Sequence, residues 1–411
     1  MKILSLAAGV VIGLLPPAAL AGGIDLYEIS TGDVGLASAG YAAGALDAST
    51  LFKNPAGMSL LADPQLNSSL QLLYGSVKFS GNSQTSPGGN GDNAIGALPG
   101  ASLFITYPLT QKLTVGFGSF SYFGLAEDYS DNWSGRYYVQ KATLLGLTLM
   151  PAASFKVNDW LSLGGGLNAM YGYFDSQVAV NTQTPVDGQM TVKDGVWGFG
   201  GNAGIMIQPR AGTRIGFNYL SQVDLNFNDQ PSFKNNVLSL FSPGLDLGMT
   251  VPQSVMVGIY QDINTNWAVM ADVGWQDWSQ SGEVSIGVNS ANPTSAKDFT
   301  TNMHLNDTWH GAIGTQYKYS ENWRFTGGFA YDTSAVDSAN RSATLPVGQA
   351  YRYGLGAYYQ IRQNLDVGAA YELTWAGNLS IYQSTAYRGT VSGSYNDVFF
   401  SFFSVNLNWR F

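Results

Sequence analysis

His304 and His310 are the only two histidines of this 411-residue chain, and no other side-chain type in it has an ordinary pKa suited to a general base near neutral pH. There is no cysteine, so thiol nucleophiles and zinc–thiolate sites are excluded. The stretches GDNAIG (91–96) and GFGSF (116–120) carry catalytic-looking glycines, but no helical segment follows either. The acidic loops SDN (130–132) and NDQ (228–230) lack calcium-loop spacing. No cofactor and no metal site is expected. What remains is recognition. Arg136, in WSGRYY (133–138) and expected near the outer rim, and Arg352, expected further round that rim, are guanidinium groups beside tyrosines, suited to a carboxylate head group. Arg136 is equally suited to stacking on loop aromatics or pairing with Asp128 or Asp131, and both readings stay open. STLFKNPAGM (49–58) sets an Asn-Pro turn among Leu51, Phe52, Ala56 and Met58, which want burial.

The elements that position these residues are unusual for a chain of this length. Charged residues make up 11%, against about 25% in ordinary soluble domains, while glycine reaches 50 residues and aromatics 13%. The net charge of -9 and the lack of a basic stripe exclude a nucleic-acid partner. No interior segment approaches the roughly 20 apolar residues of a membrane helix. At the N-terminus, Lys2, an apolar stretch to Leu15 and the small residues Ala19-Leu20-Ala21 have the three parts of a secretory signal peptide, so residues 1–21 are expected to be removed.

Beyond residue 64 the dominant period is two. Phe403, Val405, Leu407, Trp409 and Phe411 alternate with Ser404, Asn406, Asn408 and Arg410; Val367 to Trp375 and Trp323 to Tyr331 repeat the pattern. A soluble sandwich also alternates, but these runs of about 10 to 16 residues exceed globular strands and suit a tilted membrane crossing. Their apolar faces tend to begin and end in aromatic residues, as interfacial girdles require. Faces carrying Arg324, Arg352 or Glu372 must point inward, since Arg on the lipid face costs roughly 2 to 4 kcal/mol at mid-membrane. Fourteen segments are counted: 65–79, 99–108, 112–123, 143–157, 160–174, 194–209, 212–227, 250–262, 266–281, 308–319, 323–334, 350–362, 365–383 and 396–411. Six short connections alternate with seven long ones, the asymmetry of an outer-membrane barrel. The fold class is therefore all-β, a 14-stranded antiparallel transmembrane β-barrel over 64–411 in the outer membrane of a Gram-negative bacterium. Residues 22–63, rich in Ala and Gly, read as a compact hatch inside the lumen, because a barrel this wide is not filled by its own side chains.

DVGLASAGYAAGALDASTLFKNPAGM (33–58), DNWSGRYYVQ (131–140) and VPQSVMVGIYQDINTNWAVMADVGWQDWSQ (251–280) resemble the FadL/TodX family of outer-membrane transporters for long-chain fatty acids and other hydrophobic compounds. The resemblance covers essentially the whole mature chain. It implies that Asn54, Pro55 and Ala56 are the hatch motif, that Ile24, Leu26 and Tyr27 lie near an internal apolar pocket, and that the third strand is kinked beside a lateral opening. The parity of that strand slips between Phe117 and Phe120, and the nearby Gly116 and Gly118 point to a bulge there.

The function expected is passive uptake of hydrophobic substrates, long-chain fatty acids foremost, with no enzymatic step. The loop at 228–249 carries Phe233, Leu238, Leu240, Phe241 and Leu245, too apolar for a solvated loop, and reads as a capture groove or a cover for the barrel mouth. Aromatic or alkane hydrocarbons would use the same surfaces, and an outer-membrane barrel hydrolase is the rival from another class. Expected partners are the hydrophobic ligand, outer-membrane lipid with lipopolysaccharide, and an assembly machinery reading the C-terminal Phe411.

Overall fold

Alternation of apolar and small polar residues lets each segment place one face in lipid and the other in a packed lumen, and the chain closes on itself accordingly. A computed structural model describes residues 25–182, 186–234, 244–289 and 297–411. Its barrel strands are β1 Gln65–Ser76, β2 Gly96–Pro108, β3 Leu113–Asp128, β4 Lys141–Lys156, β5 Leu161–Val180, β6 Gly188–Arg210 and β7 Thr213–Leu220. They continue with β8 Ser254–Asp262, β9 Trp267–Gln276, β10 Thr308–Lys318, β11 Trp323–Asp332, β12 Ala350–Arg362, β13 Leu365–Thr385 and β14 Gly389–Arg410. Each pairs antiparallel with its neighbour in sequence, and β1 closes the ring on β14 from Gln65↔Arg410 to Ser76↔Phe399. The fourteen-stranded barrel is thus as the periodicity requires. Leu70, Leu167, Leu355 and Val405 are exposed on the lipid face, whereas Thr106, Thr148 and Glu372 are buried inside. Trp267 stacks on Tyr317 at 4.4 Å near the short turns, and Trp275 faces Trp309 across the ladder toward the other rim, so two aromatic belts bound the apolar band.

The ends of the strands depart from the expected segments. The seventh stops at Leu220; Val223–Asp229 then leaves the barrel and joins Gly244–Val251, Glu283–Asn289 and Lys297–Asn302 in a separate four-stranded sheet. The ninth ends at Gln276, followed by a short helical turn at Trp278–Ser281. In contrast, β13 and β14 run on beyond the lipid band into a tall hairpin, with register shifts on β13 around Gly377, whose φ is 71°. This positive φ suits glycine and lets the ladder resume with the opposite parity.

Residues 31–60 fill the lumen. They form α1 Thr31–Leu36, α2 Thr50–Lys53 and a 3₁₀ turn Pro55–Leu60. A plug of this shape must satisfy its irregular backbone against the wall, and it does so around the ring. Thr31 Oγ1 shares a 2.6 Å hydrogen bond with Ser404 Oγ of β14. Thr326 Oγ1 of β11 donates to the Gly35 carbonyl at 2.9 Å, and Tyr358 Oη of β12 to the Thr31 carbonyl at 3.0 Å. On β9, the Asp272 carboxylate accepts from the N–H groups of Gly40, Tyr41 and Ala42.

Candidate functional site

Asn54 caps the 3₁₀ turn and is fully buried. Its Oδ1 accepts from Ala56 N at 3.1 Å, while Nδ2 donates to the carbonyls of Ala42 at 2.7 Å and Ile205 at 3.0 Å. One amide therefore ties two hatch segments to β6, a task no carboxylate or hydroxyl of similar size performs. Pro55 starts the turn where its missing N–H costs nothing. The wall makes room with glycine: a Cβ on Gly204 would collide with Asn54 Oδ1, and one on Gly164 with Ala56 N. The Asn-Pro pair is buried because its host is the barrel itself.

The kink in β3 lies elsewhere than the glycines indicate. Gly116 and Gly118 pair regularly with Ala152 and Met150, and the register shift falls between Ser121 and Phe123. Phe120 and Tyr122 share the inward parity of Gly116, and the parity changes only after Tyr122. Gly116 serves packing instead: a Cβ there would sit 2.5 Å from Leu51 Cδ1 of the hatch. The β2–β3 ladder stops at Leu103↔Ser119, so Phe120–Asp128 pairs with β4 alone and Gly96–Ser102 with β1 alone. The wall is therefore unzipped between β2 and β3. At this opening the leading end of the hatch takes the place of a strand: Leu26 N donates to the Tyr122 carbonyl at 2.7 Å, and Asp25 forms a bridge with Phe123.

Behind the opening lies an aromatic pocket. Leu26, Tyr27, Tyr41, Phe52, Tyr122 and Met256 line a cavity of about 20 Å³, room for one water-sized guest. Phe52 packs on Phe120 at 4.6 Å and on Tyr122 at 4.9 Å, and Tyr27 meets Tyr41 edge-on at 5.8 Å. Burial pushes the Asp25 carboxyl beside it well above the usual carboxylate range. Leu26 and Tyr27 are thus pocket residues; Ile24 lies outside the described residues.

Arg352 requires a correction. It does not sit at the outer rim but is buried in the lumen at hatch depth, because its inward parity and register opposite Ala330 and Thr374 aim it at the plug. Three carboxylates surround it. Glu28 of the hatch contacts Nη1, Asp332 accepts from Nε, and Glu372 Oε1 lies 3.3 Å from Nη1. Asp332 also holds His310 Nδ1 at 2.7 Å, and Glu372 also accepts from Thr374 at 3.0 Å. His310 therefore faces the lumen as part of a charge cluster, packed at a tilt against Tyr27 with ring centres 4.2 Å apart. Sequence reading singled out Arg352 and His310 but missed Glu28 and Asp332; inward parity marked Asp332, whereas nothing local marked Glu28.

Arg136 belongs to the outer loops. Its Nε donates to Asp187 at 2.8 Å, not to Asp128 or Asp131, its guanidinium stacks on Tyr137 at 4.4 Å, and Nη1 reaches the carbonyls of Pro87 and Trp133. These bonds order three loops. Of the capture residues, Phe233 is half-buried against the loop core, and Leu245 is buried in the outer sheet, opposite Asp229, instead of facing solvent. Leu238, Leu240 and Phe241 lie outside the described residues.

Residues 13–411 match the family model described as outer membrane protein transport protein (OMPP1/FadL/TodX). The chain is 26% identical over 406 residues to the long-chain fatty acid transport protein of Escherichia coli O6:H1, covering 89% of this chain and 90% of that one. It is 29% identical to outer membrane protein P1 of Haemophilus influenzae, with 85% of each covered. Among solved structures it is similar to a Pseudomonas aeruginosa FadL homologue, TM-score 0.83 at 20% identity over 97% of this chain and all of that one. The Ralstonia pickettii toluene transporter TbuX gives a TM-score of 0.69 at 19% identity, with 94% of this chain and 99% of that one covered. At such identities the structural likeness speaks for the fold.

Proposed function

Because this chain belongs to the OMPP1/FadL/TodX family of outer-membrane transport proteins, we propose that it imports long-chain fatty acids by passive transfer from an apolar outer loop to the aromatic pocket and out through the β2–β3 opening. The observation that carries this reading is the coincidence of three features: an unzipped wall, a hatch segment paired across it, and an aromatic pocket directly behind. A porin needs none of them. Burial of an alkyl chain contributes about 0.8 kcal/mol per CH₂, so capture is strong and release requires a moving part. Asp25–Ser30, which forms no helix or strand of its own and meets the wall through the pairing of Asp25 and Leu26 with Tyr122 and Phe123, the Gln276–Asp25 hydrogen bond and the Glu28–Arg352 ion pair, is that part.

Fatty acids are favoured over toluene-like cargo by the Arg352 guanidinium, which lies 5.3 Å from the ring centre of the pocket residue Tyr27, and the relative from Escherichia coli bears that substrate in its name. In this reading residues 1–21 are the export signal, 22–63 the hatch and 64–411 the barrel. Lipopolysaccharide surrounds the lipid band, and Phe411 is the residue read by the assembly machinery. The test is uptake of radiolabelled oleate and of toluene by cells that rely on this protein, with Leu240→Ser/Phe241→Ser as the capture variant. Oleate uptake that falls severalfold in the variant supports the reading. Toluene uptake without oleate uptake transfers the function to hydrocarbons; unchanged oleate uptake removes the capture step.

A further inference from the structure

We infer that Glu127 is a pH-operated clasp of the outer loops: protonated, it lets three loops and the tall β13–β14 hairpin close on one joint, and ionised, it drives that joint apart. The device acts on the extracellular end of the barrel, apart from the hatch and whatever the cargo.

Glu127 is the penultimate residue of β3 and stands above the lipid band, because Asp128, Lys141 and Asp175, within one residue of its height on the outward face, are charged. After the register shift between Ser121 and Phe123 its parity is inward, shared with Phe123 and Leu125. It is 1% exposed, and neither carboxylate oxygen has a hydrogen-bond partner among the described residues. Of the other buried carboxylates there, only Glu28 shares this lack, and Glu28 meets Arg352. Glu127 meets no cation. Lys141, beside it on β4, turns outward to Asp175 at 3.5 Å. Among the loop cations, Arg136 is paired with Asp187, Arg341 donates to the Val347 and Ser380 carbonyls, and Arg388 lies over the Tyr138 ring. The titratable groups that feel its charge are the hydroxyls of Tyr129 and Tyr395.

Those two tyrosines are the joint. Tyr129 Oη donates to the Ala343 carbonyl at 3.0 Å and shares a 2.9 Å hydrogen bond with Tyr395 Oη of β14. The Tyr129 ring stacks on Trp133 at 4.0 Å, and the N–H groups of Asp128 and Ser130 donate to the carbonyls of Ala94 and Gly91 in the first long loop. Tyr129, Trp133, Ala343 and Tyr395 are all buried. An ionised carboxylate beneath them would be a buried charge with no partner, and it reaches water only if the joint parts. Burial accordingly pushes the Glu127 carboxyl well above the usual carboxylate range. Closure is therefore fully supported below an unfolded glutamate pKa of about 4.3 and weakens about tenfold per pH unit from there toward the raised value. The loops close in acid and loosen as pH rises.

The experiment labels a buried thiol at the joint, Ala343→Cys in this cysteine-free chain, with maleimide in the full mature protein in nanodiscs. Heat-shifted gel mobility verifies barrel folding in each variant. The rate is divided by that of the same probe in a Glu127→Gln background, which cancels the thiol's own titration and keeps the side chain neutral at every pH. The ratio is expected to rise at least tenfold from about pH 5 to about pH 8. A control thiol at Ala43→Cys, buried in the hatch, should keep a constant ratio. The infrared carbonyl band of a protonated carboxyl at about pH 5, present with Glu127 and missing with Glu127→Gln, reports the closed form directly. A joint ratio that stays flat with pH, a hatch ratio that rises equally, or a band that survives Glu127→Gln unchanged would each overturn the clasp, while the transport reading stands.

Discussion

Replacing Asn54 separates two roles that one side chain combines. Asn54→Ala deletes three hydrogen bonds, two from Nδ2 to the Ala42 and Ile205 carbonyls and one from Ala56 N to Oδ1. At about 1 kcal/mol net for each, the bond to Ile205 weakens docking on the wall by about 1 kcal/mol, roughly fivefold in the undocked population, and the two bonds within the hatch take about 2 kcal/mol from its internal order. Asn54→Asp retains the acceptor for Ala56 N but turns an oxygen toward two carbonyl oxygens, so it is the more damaging variant although it is nearly isosteric. The assay is steady ion conductance of single barrels in planar bilayers, with protease sensitivity of the hatch as a second readout. The open probability is expected to be highest in Asn54→Asp, lower in Asn54→Ala and lowest in the wild type. An Asp variant that conducts no more than the Ala variant would show that the amide donors do not hold the plug, and would overturn the assignment of Asn54 as its anchor.

Gly204→Val drives a side chain into Asn54 and Pro55 and should raise conductance, whereas Gly201→Val, where an added Cβ meets nothing closer than 3.8 Å, should leave it unchanged. A disulfide between Ala101→Cys and Ser121→Cys, the next facing outward pair had the β2–β3 ladder continued past Leu103↔Ser119, should seal the wall and abolish oleate uptake until reduced. Normal uptake by the oxidised form would exclude lateral exit. Burial raises the Asp25 carboxyl, so its contribution to docking is complete below an unfolded carboxylate pKa of about 3.9 and is lost as pH rises toward the raised value. Labelling of Leu26→Cys should accordingly accelerate with pH more steeply than in the Asp25→Asn background, and equal slopes would remove Asp25 from the latch.

Much of the barrel is a local matter. Lipid on one side and a packed lumen on the other impose a period of two on every strand, so Val405, Leu407 and Trp409 declare the orientation of β14 without any knowledge of its neighbours. The same rule places Glu372, Arg352 and His310 inside the ring, and an Asn-Pro turn among apolar residues announces a buried host. Depth and partnership are not local. Parity says that Arg352 points inward but not that Glu28, more than three hundred residues earlier, meets it there. Gly116 and Gly118 look like a bend from their composition, yet they are smooth wall, Gly116 shaped to admit Leu51 and Gly118 to admit the rings of Phe104 and Phe120, and the register breaks at Tyr122, where the hatch supplies a replacement hydrogen bond. A strand's face follows from which solvent each side chain meets, which its own residues encode. Where a ladder stops, and which charges share a cavity, depends on how the closed ring brings distant segments to one height, and only the tertiary structure decides that.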